Sequence, residues 1–179
     1  MSTYKMFFAG SGGQGVLLMG QMIAQAAMLE GKEATFLPSY GPEMRGGTAN
    51  CSVILSDEPV GSPIVSQPDV LIAMNLPSLD KYEGAVKPGG TILVDSTLIE
   101  RKVQRDDVTV RYIPATKMAA DMNAPTLANM VMMGQFIKVS GAIQMEGLED
   151  AMKKVISAKH ADLLELNVKA FNCGYHYEA

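Results

Sequence analysis

The chain has 179 residues, 47% hydrophobic and 19% charged, and its 15 Lys+Arg against 19 Asp+Glu give a formal net charge of −4. That balance describes one globular domain, 1–179, with a substantial core, and excludes a disordered chain. With no basic cluster, 6% aromatic residues and no tryptophan, a nucleic-acid surface is not expected; two cysteines (Cys51, Cys173) and two histidines (His160, His176) fall short of the roughly four ligands of an iron–sulfur or structural zinc site, so no metal site is expected either.

In chain order, Met6–Ala9 is a short buried strand closed by the glycine turn Gly10-Ser11-Gly12-Gly13-Gln14-Gly15. Val16–Leu29 is apolar nearly all round, the pattern of a helix lying deep against a sheet. Ala34–Leu37 gives a second strand, stopped by Pro38. After a glycine-rich loop, Thr48–Leu55 alternates, with Ala49, Cys51, Val53 and Leu55 on one face. Val70–Met74 and Thr91–Asp95 are continuous apolar runs, expected as central strands, with a short helix over Ser78–Val86 between them. Val108–Ile113 is a further strand. The last third is helical: a packed face through Leu127, Met130, Val131, Gly134, Ile137 and Gly141, then more polar helices over Glu146–Ala158 and Asp162–Phe171.

This order predicts a three-layer α/β domain: a mostly parallel sheet flanked by helices, a Rossmann-like glycine turn after the first strand, and a helical C-terminal third. The Thr48 strand, joined to its predecessor by a loop, leaves room for an antiparallel element. No apolar stretch is long enough to span a bilayer and the amino-terminal run is too brief for a signal peptide, so a cytoplasmic chain without a membrane partner is expected.

Gly10-x-Gly12-x-x-Gly15 satisfies the dinucleotide fingerprint between a strand and a helix, where backbone N–H groups and a helix N-terminus approach a pyrophosphate. The same glycines would also serve close strand–helix packing. NAD is disfavoured, because the end of the second strand offers Pro38-Ser39-Tyr40-Gly41 in place of an acid for the ribose hydroxyls. A different phosphate-bearing adenosine ligand fits better, with Arg45 free to meet a phosphate bidentately. Ser39-Tyr40-Gly41-Pro42-Glu43-Met44-Arg45-Gly46-Gly47 is a shaped loop at the same sheet edge, its alternative being an exposed turn with a local Glu43–Arg45 contact.

The glycine turn, the run Pro38 to Cys51, and Pro68-Asp69, Ala73-Met74-Asn75, Ser78-Leu79-Asp80-Lys81-Tyr82 and Lys87-Pro88-Gly89-Gly90 resemble the gamma subunit of the 2-oxoacid:ferredoxin oxidoreductases. The second loop looks most like the 2-oxoglutarate and branched-chain 2-oxoacid members. The resemblance implies a multi-subunit enzyme that decarboxylates a 2-oxoacid on thiamine diphosphate and passes the acyl group to coenzyme A. Thiamine diphosphate, magnesium and iron–sulfur clusters would sit on alpha, beta and ferredoxin-like delta partners, with ferredoxin as electron acceptor. This chain, poor in cysteine and without a thiamine-diphosphate signature, would contribute coenzyme A binding and subunit contacts and no catalytic residue. Gly10, Ser11, Gly12, Gly13, Gln14, Gly15, Arg45 and Asn75 are the expected binding residues, with Gln14 adding a side-chain donor. Ser39, Tyr40, Gly41, Glu43, Gly46, Gly47, Ser96 and Thr97 are the expected partner-facing or crevice-lining ones. The alternatives are a free-standing NAD(P)-dependent oxidoreductase and a structural adaptor that binds no ligand.

Most of the fourteen methionines are expected in the core, with Met118, Met122 and Met132 open to a partner. Cys51 is expected as an inert buried thiol. Asp95 ends a strand, where it either binds a hydroxyl or caps the next turn. The tail Tyr175-His176-Tyr177 either docks on a sister subunit or frays.

Overall fold

In the computed structural model, which describes residues 3–39, 47–156 and 161–179, the apolar runs become strands β1 (Thr3–Ser11), β2 (Glu33–Ser39), β3 (Thr48–Ser56), β4 (Val70–Ala73), β5 (Thr91–Asp95) and β6 (Thr109–Ile113). The helices are α1 (Val16–Leu29), α2 (Leu76–Tyr82), α3 (Ala115–Asp121), α4 (Ala128–Ser140), α5 (Met145–Val155) and α6 (Ala161–His176). The strands form one sheet in the order β2-β3-β1-β4-β5-β6. β4, β5 and β6 continue parallel from β1, whereas β3 pairs antiparallel with both β1 and β2. Five strands therefore share one direction and β3 runs against them. A loop can return the chain beside its predecessor only antiparallel, since a parallel return needs a crossover.

Alternation along the strands splits the core into two layers. Met6, Phe8, Cys51, Val53, Val70, Ile72 and Leu93 join α1, α4, α5 and α6 on one face. Leu71, Ala73, Ile92 and Val94 face the other way, against Leu79 of α2, Val86 and Ile99. On this thinner side Arg101 pins the 96–108 segment to α2 through Asp80 at 2.6 Å and to the turn after it through Glu83 at 3.1 Å. α4 and α6 touch backbone to backbone: a Cβ added at Gly174 would overlap the Val131 main chain, and one at Gly134 would lie 2.6 Å from Tyr175 N.

Several boundaries move. β2 runs through Pro38 to Ser39, because an edge strand accommodates a proline whose nitrogen faces away from its neighbour. α2 starts at Leu76, capped by Asn75, whose side chain accepts from Ser78 N–H. α3, a two-turn helix behind Pro114, is too short for apolar periodicity to register. The expected end of the fifth helix, up to Ala158, falls partly outside the described residues. The methionine patch is corrected at Met132, which is fully buried; Met118 and Met122 are partly buried against the same core. The tail neither frays nor stands free, since Gln135 Nε2 and Lys138 Nζ both donate to Tyr177 O, and Tyr175 stacks on Phe171.

Candidate functional site

β1, β4 and β5 end at one edge of the sheet, and the chain leaves each of them toward a helix or turn at that edge. The glycine turn sits there. Gly15 is the N-cap of α1 in a left-handed conformation, with φ 73°, so a side chain would be strained in that geometry. Space forbids one as well, because a Cβ on Gly15 would overlap the Asn129 carboxamide. No side chain caps α1, and no acidic residue lies in its first turn. The first helical hydrogen bond runs from Met19 N–H to Gly15 O at 3.1 Å, which leaves the preceding amides of Val16, Leu17 and Leu18 at the open end. Those amides and the positive end of the helix dipole together favour an anionic group.

Three side-chain carboxamides hold the turn. Gln14 Oε1 accepts from Ser11 N–H at 2.6 Å while its Nε2 donates to Met74 O at 3.0 Å, tying the turn to the end of β4. Asn75 Nδ2 donates to Ser11 Oγ at 2.7 Å, and its Oδ1 caps α2. Asn129 Nδ2, from α4, donates to Gly15 O at 3.2 Å. Gly12 N–H donates to Gly47 O at 3.1 Å, joining the first loop to the end of the second. The structure thus brings Gly10–Gly15, Asn75 and Gly47 together. Gln14, expected as a ligand donor, has its amide engaged in bracing the turn.

Two crevices share Gly13 as a wall. One, of 270 Å³, is lined by Ser11, Gly12, Gly15, Val16, Leu17, Leu18 and Ala49; the other, of 210 Å³, by Gln14, Leu98, Thr116, Pro125, Thr126 and Ala128. Ser96 and Thr97 stand beside the second crevice and are tied into its scaffold: Ser96 N–H donates to Ile113 O, and Thr97 Oγ1 accepts from Lys117 N–H. The fully buried Asp95 carboxylate accepts from Thr97 N–H, Thr116 N–H and Thr116 Oγ1, so it caps the turn and the start of α3. Ser39 lies exposed at the end of β2, opposite Asn50. Tyr40, Gly41, Glu43, Arg45 and Gly46 lie outside the described residues. A cavity of 450 Å³ around Arg111, Lys138 and Tyr177 opens far from the turn, by Thr91 and Thr109 at the opposite ends of β5 and β6.

Sequence reasoning missed Asn129, Thr116 and Thr126. Asn129 did leave one signal, a polar residue beside an unbroken apolar run. Cys51 is fully buried and burial pushes its thiol up to about 12. The fold also bears on the dinucleotide alternative. With β3 inserted, β2 lies two strand spacings from the turn, roughly 10 Å, where the Rossmann arrangement has one.

These features define a three-layer α/β domain with uncapped main-chain donors where its first strand gives way to a helix. The sequence matches the family model described as "Pyruvate ferredoxin/flavodoxin oxidoreductase" over residues 5–177. It is 38% identical over 170 residues to the 2-oxoglutarate synthase subunit KorC of Methanocaldococcus jannaschii, covering 93% of this chain and 89% of that one. The gamma subunit of a keto/oxoacid ferredoxin oxidoreductase from Geobacter sulfurreducens superposes with a TM-score of 0.86 at 34% identity, over 98% of this chain and 95% of that one. A 2-oxoglutarate:ferredoxin oxidoreductase from Magnetococcus marinus, solved with 2-oxoglutarate, coenzyme A and succinyl-CoA bound, superposes with a TM-score of 0.89 at 25% identity, over 97% of this chain and 30% of that one. The ketoisovalerate oxidoreductase subunit VorA of Methanothermobacter marburgensis is 39% identical over 93% of this chain, which spans about a third (34%) of that relative's length. The chain belongs to the pyruvate ferredoxin/flavodoxin oxidoreductase family, and within it to the gamma-subunit type. Among the described residues, no helix is long and apolar enough to cross a membrane.

Proposed function

We propose that this chain is the gamma-type subunit of a multi-subunit 2-oxoglutarate:ferredoxin oxidoreductase and that it binds coenzyme A. In this reading thiamine diphosphate, magnesium and iron–sulfur clusters belong to alpha, beta and ferredoxin-like delta partners, and ferredoxin takes the electrons. The observation that carries the coenzyme A assignment is the open N-terminus of α1 behind a glycine turn, uncapped and free of acidic residues in its first turn. The Magnetococcus relative with coenzyme A bound supports it, and the name of the KorC relative supports 2-oxoglutarate as the substrate.

When bound, coenzyme A supplies the thiol that accepts the acyl group. The chain's own residues hold and orient it. Val16, Leu17 and Leu18 donate N–H groups to a phosphate oxygen, and the α1 dipole stabilises its charge. The apolar side chains of Leu17 and Leu18 line the same crevice as those amides and lower the local dielectric, which makes the electrostatic attraction stronger than in bulk water. Anchoring the phosphate end turns a bimolecular encounter with the acyl group into a positioned one.

Gly13 tests the reading, because it is exposed, borders both crevices and has open space where a Cβ would go. With φ 89°, Gly13→Asn and Gly13→Asp carry the same backbone strain and differ in charge. Like charges a few ångströms apart near a surface repel by ~1–4 kcal/mol, so Gly13→Asp raises the coenzyme A KM of the assembled enzyme about tenfold or more over Gly13→Asn. The readout is 2-oxoglutarate-dependent viologen reduction across coenzyme A concentrations. Equal KM values for the two variants would reject the assignment.

A further inference from the structure

We infer that Asn129 is a positioning residue that aims the first amide of α1, the Val16 N–H, at the ligand, an inference that rests on the coenzyme A reading above. Asn129 is 2% exposed and stands at the second position of α4. Its Oδ1 accepts from Met130 N–H at 2.9 Å and its Nδ2 donates to Gly15 O at 3.2 Å, so both ends of the carboxamide are engaged and its orientation is fixed. The same Gly15 oxygen accepts from Met19 N–H. A trans peptide points its C=O and N–H in opposite directions. Two donors drawing the Gly15 oxygen toward the helices therefore turn the Val16 N–H the other way, to the open end of α1.

The Gly15–Val16 plane needs this hold more than its neighbours do, since a glycine on its N-terminal side leaves it free to rotate. Without Nδ2 the Met19 bond alone restrains it, and the ligand must order that amide as it binds. The loss then appears in affinity, with the bound state little changed. Asn129 also couples the turn to the α4–α6 pair, which sequence places more than a hundred residues away, at a separation of 114.

Gln135 supplies the matched control. It is equally buried on the same helix, at 1% exposure, and its Nε2 donates to Gly174 O and Tyr177 O, away from the turn. In the assembled enzyme, Asn129→Ala raises the coenzyme A KM about tenfold with kcat at saturating coenzyme A within about twofold of the parent, the effect expected from freeing one anchored peptide plane. Gln135→Ala lowers Tm comparably and leaves that KM unchanged. If Asn129→Ala fails to assemble, Asn129→Ser is read by the same KM-against-kcat split. An unchanged KM in the Asn129 variant, or an equal rise in the Gln135 variant, overturns the inference. Gly13→Asp separates the two levels: if it raises KM over Gly13→Asn while Asn129→Ala does not raise it, the positioning role falls alone; if Gly13→Asp does nothing, the coenzyme A reading falls with it.

Discussion

Cys51 shows how burial decides a residue's chemistry. Its thiol is sealed behind α1, 3.6 Å from Val16 O, and burial lifts its pKa to about 12. Burial lifts Tyr4 to about 12 as well, with the nearby Asp69 adding to it. In the unfolded chain both groups ionise at lower pH, so their contribution to stability is complete below the unfolded pKa values and is lost as pH rises from about 9 toward 12. Denaturant midpoints should therefore fall across that alkaline range, and Cys51→Ala should flatten the decline. A disulfide reagent at mildly alkaline pH should titrate Cys173, which is partly exposed, and reach Cys51 only after unfolding. The buried thiol was legible in the sequence, since Cys51 alternates with Val53 and Leu55. Asn129 was not, because its meaning depends on Gly15, which only the folded chain brings beside it.

Among the elements, α1 and β5 carried their limits in the sequence. Local glycines at Gly15, Gly31 and Gly90 mark where each begins or ends. α3 did not: two turns offer too few apolar repeats, and its start is set by Asp95 from a distant strand. The α4–α6 contact is similar: the spacing puts Gly134 on a packed face without naming what packs there, and Gly174 looks like an ordinary helix-weakening glycine until the two backbones meet. Gly174→Ala should cost ~3 kcal/mol or more, as overpacking against a main chain that side-chain rotation cannot relieve. Gly84→Ala, at a position with open space, serves as the comparison in thermal melts and should move Tm little.

At the scale of the whole molecule, the decisive feature is β3 lying between β1 and β2. The sequence suggested an antiparallel strand, yet its place in the sheet depends on pairings between distant residues that no local pattern encodes. With that insertion the adenosine-ribose position of a dinucleotide fold is pulled away from the glycine turn. NADH and NADPH titrated into the chain should give no saturable fluorescence change at micromolar concentrations. The resemblance to gamma subunits was readable because its motifs are short contiguous runs, densest in the glycine turn and from Pro38 to Cys51, although residues 40–46 of that second run lie outside the described residues. A last consequence comes from the three carboxamides of Gln14, Asn75 and Asn129. None of them carries a dissociable proton, so the brace neither tightens nor slackens as the medium acidifies. The brace is a geometry indifferent to acidity; on the coenzyme A reading, any drift of affinity with pH belongs to the ligand's own phosphates and to groups beyond the brace.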